Sequence, residues 1–180
     1  TQNFYVTVLF LAFALLITWM FVVAGPRDVP LPSRWFEVGT ASASGIVSGE
    51  WWRTVTAVTL HGDLLHLTGN VVAALLFVSA VGRWLGAGLG AALILASAAL
   101  GNAITAWAYG ARHDSVGAST ATFAALGLLA GLQVVRRWRD VARRRRLAWV
   151  PLGAGLGLVV LLGMSERADV VAHLASLLAG

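Results

Sequence analysis

Six uncharged apolar stretches recur along the chain, at 4–24, 64–81, 85–110, 116–135, 147–164 and 170–180. Each is too long and too free of charge for a soluble domain to bury repeatedly. At about 1.5 Å of helix rise per residue, the first five are long enough to cross a hydrocarbon core of about 30 Å, whereas the last is not. Composition points the same way: of 180 residues, 58% are hydrophobic and 12% charged, with a mean hydropathy of +0.79. That many Leu, Ala and Val side chains cannot be hidden behind 13 basic and 8 acidic residues in a globule of this size. The expected fold is therefore all-α, a polytopic membrane helix bundle of six transmembrane helices with the sixth truncated. Residues 1–180 are expected to form a single transmembrane domain. The start at Thr1 without methionine suggests an excised piece of a longer product, and 4–24 is too long for the apolar core of a cleavable signal.

Charge placement sets the orientation. All 13 basic residues are arginine, and seven of them fall in RRWRDVARRRR at 136–146, between spans four and five. By the positive-inside rule this loop is cytoplasmic, which makes the amino terminus cytoplasmic too. The starts of spans two, four and six then face the extracytoplasmic side. A flanking loop explains the arginines without any nucleic-acid partner, and contact with anionic lipid is incidental. Trp19, Trp84, Trp107 and Trp149 lie near span ends, as an interfacial belt places them. The longest connection, 25–63, is extracytoplasmic and contains Glu50-Trp51-Trp52-Arg53. It is expected to lie partly in the membrane interface. Gly86/Gly90, Gly127/Gly131 and Gly153/Gly157 are small-residue pairs that allow close helix contact.

Polar side chains inside apolar spans are costly in lipid, so they face the bundle interior or water. Four matter here: His66 and Asn70 in span two, Ser119 in span four and His173 in span six. His66 and Asn70, four apart, share one helix face. Ser119 and His173 fall at a similar depth below the same surface. A hydroxyl, an imidazole and two further donors at one level are the parts of an acyl-transfer site: nucleophile, general base and oxyanion stabilisers. Other mechanisms fit poorly. There is no cysteine and no HExxH, and His61 and His66 are about 140° apart around a helix, so neither a thiol nucleophile nor a zinc site is expected. Asp63 and Asp169 sit at span ends without a shared buried level, which argues against a paired-aspartate mechanism. No cofactor and no metal are expected. His113-Asp114-Ser115 looks like a triad but is read as a solvated loop, and Asp169 as the cap of helix six.

In these contexts the chain resembles the rhomboid family of intramembrane serine proteases. Glu50-Trp51-Trp52-Arg53 is similar to the family's tryptophan-arginine motif, and His61 to Asn70 follows its H-x4-H-x3-N pattern. Gly117-Ala118-Ser119-Thr120 is similar to its nucleophile motif, and Ala172-His173 to its base motif. The resemblance implies Ser119 as nucleophile, His173 as general base, and His66 and Asn70 as oxyanion donors assisted by the Ala118–Ser119 backbone. It further implies that Phe123 packs on the catalytic histidine, and that Trp52, Arg53 and His61 support the first loop and the top of span two. The chain departs from the pattern at Thr120 and Ser176, where many members have glycine. Both add atoms where spans four and six must approach.

The implied activity is cleavage of transmembrane protein substrates near the extracytoplasmic face, with lipid as surroundings and substrates favoured when the outer turn of their helix unwinds easily. Two alternatives stay open from the residues themselves. One is a proteolytically inactive relative that binds transmembrane clients, and the other a small transporter lined by His66, Asn70 and His173. Retention of both serine and histidine argues against the first, and the lack of midplane helix breaks against the second. The arginine- and alanine-rich composition suggests a bacterial plasma membrane; oligomeric state is not legible.

Overall fold

The computed structural model describes residues 2–27, 29, 33–110, 113–139 and 169–180, with only the backbone path for 136–139. The expected fifth span, with Trp149 and the Gly153/Gly157 pair, and the basic run beyond 139 lie outside the described residues. What is described is all-α apart from one two-residue strand pair.

Helix α1 (Gln2–Ala24) is a peripheral span, most of whose side chains face outward. The first loop folds into short pieces, α2 (Arg34–Gly39), β1 (Ala41–Ser42), α3 (Ala43–Val47), α4 (Arg53–Thr56) and a 3-10 turn (Ala57–Thr59). Then come α5 (Leu64–Leu85), α6 (Ala87–Tyr109), β2 (Asp114–Ser115), α7 (Ser119–Arg139) and α8 (Val170–Ala179). Runs of Ala, Leu and Val become helices because only a helix satisfies every backbone group within its own segment when no water is at hand. Among the described residues α1, α5 and α6 are long and apolar enough to cross a membrane.

The ends of these helices have identifiable causes. Asp63 caps α5, its carboxylate accepting from His66 N–H at 2.8 Å. Gly86, at φ +85°, separates α5 from α6. It is therefore a turn residue between the two helices, whereas Gly90 meets α5 closely, a Cβ there lying 3.4 Å from the Gly82 Cα. Span four begins later than expected. Gly117 adopts φ +124° and stops the helix from extending back to 116, which leaves Ser119–Val135 as its apolar portion, shorter than a full span.

Helix α7 is central. Residues 119–127 are buried on every side, and a helix segment buried all round belongs in the middle of a bundle. Its alanines, Ala121, Ala124 and Ala125, join Ile17, Leu67, Val78, Val81, Ile94 and Ala98 in one core. Helix α8 packs against both α6 and α7. The contact with α7 is at backbone range: a Cβ on Gly127 would collide with the Leu177 carbonyl, and one on Gly180 with the Ala124 carbonyl. Ser176 lies in the notch left by Gly101 of α6. Trp19, Trp84 and Trp107 are all more than half exposed on the bundle's outside.

Candidate active site

The site is assembled where the first loop meets the segment leading into α7. Strand β1 pairs antiparallel with β2, Ala41 opposite Ser115 and Ser42 opposite Asp114. Gly117 N–H then bonds the Ala57 carbonyl at 2.9 Å, fixing the last bend before Ser119. Only glycine suits position 117. Its φ is one that side chains avoid, and a Cβ there would overlap Cε1 and Nε2 of His66. The His66 ring therefore rests directly on this bend, with Asn70 Nδ2 beside it. Asn70 is 1% exposed, and both polar atoms of its side chain are without a partner among the described residues.

Ser119 opens α7, and its Oγ lies 2.9 Å from His173 Nε2. Both side chains are buried, and the imidazole stacks on Phe123, one turn below the serine, with ring centroids 4.4 Å apart and planes 21° from parallel. His173 Nδ1 has no hydrogen-bond partner among the described residues. For Ser119 to donate to Nε2, the ring must carry its proton on Nδ1.

Ala118 and His61 are connected in a way the motif does not reveal. Ala118 N–H donates to His61 Nε2 at 3.3 Å, so that amide is already engaged by the histidine five residues before His66. The His61 and His66 rings meet edge to face at 5.2 Å. Burial, and secondarily the neighbouring His66, push the His61 pKa from 6.5 down to about 3. A neutral ring is what an accepting Nε2 requires.

Arg53 ties the first loop together. Its guanidinium bonds Glu50 Oε2 at 2.5 Å and donates to the carbonyls of Glu37 and Thr40. Trp52 Nε1 reaches the Val38 carbonyl at 3.4 Å while its ring stays half exposed. Arg53 and Trp52 thus sit in the loop, apart from the Ser119–His173 contact. Thr120 is buried, with its hydroxyl unpartnered among the described residues.

The sequence reading missed one pair. His113, read as part of a solvated loop, places Nε2 2.6 Å from Asp169 Oδ2, and its ring stacks on Tyr109 with centroids 4.4 Å apart. Asp169 is the expected cap of the last helix, Oδ1 accepting from Ala172 N–H at 2.9 Å, but its second oxygen serves His113. Nothing in the spacing could have shown this, since 56 residues separate the partners.

Comparison with known proteins adds an independent line. Residues 48–180 match the profile of the Rhomboid domain. Among curated proteins, the chain is 31% identical over 134 residues to the putative rhomboid protease YdcA of Bacillus subtilis, covering 71% of this chain and 66% of that protein. It is 36% identical over 91 residues to the rhomboid protease GluP of the same organism, covering 51% of this chain and 18% of that protein. The chain thus spans just under two thirds of the first relative and less than a fifth of the second.

Proposed function

This chain belongs to the rhomboid family of intramembrane proteases, and on that premise we propose that it is a serine endopeptidase that cuts transmembrane proteins with a Ser119–His173 dyad. The observation that carries the reading is the 2.9 Å approach of Ser119 Oγ to His173 Nε2, with the imidazole held flat on Phe123. In the first step Ser119 Oγ attacks the scissile carbonyl carbon while His173 Nε2 takes the hydroxyl proton. The resulting oxyanion is stabilised by His66 and Asn70, whose side chains converge beside Gly117. Because Ala118 N–H is given to His61, backbone assistance falls to the free N–H groups of the first turn of α7. The C–N bond breaks as His173 returns the proton to the leaving amine. Water, activated in the same way, then releases the acyl group.

We read residues 1–180 as one membrane domain with a cytoplasmic amino terminus, a basic cytoplasmic loop at 136–146 and the dyad near the extracytoplasmic face of a bacterial plasma membrane. Substrates enter from lipid, so a segment whose outer turn unwinds exposes its peptide bond most easily. The test is labelling of the purified protein with a fluorophosphonate, followed by mapping of the adduct. Label on Ser119, absent from Ser119→Ala and from His173→Ala, is expected. An unlabelled Ser119 would instead support a client-binding protein.

A further inference from the structure

The pair formed by His113 and Asp169 lies outside the reacting groups yet ties the start of α8 to the end of α6 and to the first loop, and we propose that it is a latch holding the outer end of α8 so that His173 meets Ser119. This rests on the protease reading and assigns both partners as positioning residues.

His173 lies between two anchors on α8. Three residues further on, Ser176 sits in the notch of Gly101 and sets the inner register of the helix. Four residues before it, Asp169 sets the outer register. The carboxylate of Asp169, 9% exposed, divides its work: Oδ1 caps Ala172 N–H, and Oδ2 takes His113 Nε2 at 2.6 Å. A cap alone needs one oxygen, and asparagine supplies it as well as aspartate does. The short second bond is the one that calls for an anionic oxygen.

His113 is itself firmly held. Its ring lies on Tyr109 at the end of α6, and its carbonyl accepts from Ala43 N–H at 2.8 Å. The next residue, Asp114, is paired opposite Ser42 in the strand ladder and lies 3.8 Å from Arg27. Six residues after His113 comes Ser119. The latch therefore joins the helix bearing the base to the segment that delivers the nucleophile. A shift of α8 along its axis would open the Ser119–His173 contact, and a displacement of about 1 Å is enough to cost up to about a hundredfold in rate.

The experiment measures fluorophosphonate inactivation of the full chain in detergent, separating the maximal inactivation rate from the half-saturating probe concentration. It compares wild type with Asp169→Asn, His113→Ala and the double variant, and records thermal midpoints alongside. Asp169→Asn and His113→Ala should each lower the maximal rate about ten- to a hundredfold. Half-saturation and the thermal midpoint of Asp169→Asn should stay near wild type, because the cap is retained, and the double variant should be no slower than the slower single. A wild-type rate in Asp169→Asn would reduce Asp169 to a cap and overturn the latch, as would losses that multiply in the double variant. A wild type that takes no label at Ser119 overturns the latch together with the protease reading. Labelled wild type with unaffected variants overturns the latch alone.

Discussion

His61 illustrates how much a single buried side chain can decide. It is 1% exposed, and its neutral ring accepts the Ala118 N–H at the entrance to α7. The unfolded chain takes up this proton near pH 6.5, the folded one only near 3. Between those values the unfolded state binds more protons, so the contribution of His61 to stability is complete above 6.5 and is lost as pH falls towards 3. His61→Gln keeps an accepting oxygen but removes the titration. The expected outcome is that the thermal midpoint in detergent drops less on going from about pH 7 to about pH 4 in the variant than in wild type. Parallel slopes would show that His61 carries none of the acid sensitivity. The H-x4-H-x3-N spacing made His61 visible as a supporting residue, but its partner Ala118 is 57 positions away and could be named only from the folded chain.

At the scale of elements, the contact between α6 and α8 turns a departure from the family pattern into a matched pair. Ser176 occupies a place where glycine is common, and Gly101 of α6 leaves the room: a Cβ added there would overlap both the Ser176 hydroxyl and its backbone. Gly101→Ala is therefore expected to destabilise the bundle by about 1 to 3 kcal/mol, the usual cost of overpacking a well-packed interior. Combining it with Ser176→Gly should recover a large part of that loss. The measurement is the unfolding midpoint of the two single variants and the double. If Gly101→Ala is harmless, or if the double is as unstable as the sum of the singles, the two helices do not meet there. The sequence showed that α8 was slender, through Ala172, Ala175 and Ala179; which neighbour the extra hydroxyl faced depended on the helix's rotation.

The whole molecule is directional. Helix α5 follows directly on the first loop, the start of α8 is tied to His113, and α7 runs from Ser119 to the beginning of the arginine run. If the run is cytoplasmic, the dyad faces outward. With no native cysteine to interfere, a cysteine placed at Ser44 is expected to react with an impermeant maleimide in intact cells. One placed at Arg139 should react only after the membrane is opened. The reverse pattern would invert the protein and put the site on the cytoplasmic side. The loop residues Trp35, Trp51 and Trp52 are exposed on the surface of the first loop.

What the sequence determined alone was everything governed by local cost in lipid. Uncharged runs require helices, in-span polar residues require an interior, and a string of arginines sets the expected orientation. Those rules, with the motif spacing, were enough to single out His66, Asn70, Ser119 and His173. The tertiary structure decided what depends on the rotation and offset of one helix against another. Gly117, at φ +124°, shortens α7; Ser176 finds Gly101; Ala118 gives its amide to His61; and His113 crosses 56 residues to Asp169. Helical periodicity places a residue on a face, but small residues such as Ala and Gly leave the opposing face unspecified, so only the packed bundle can say which atoms meet.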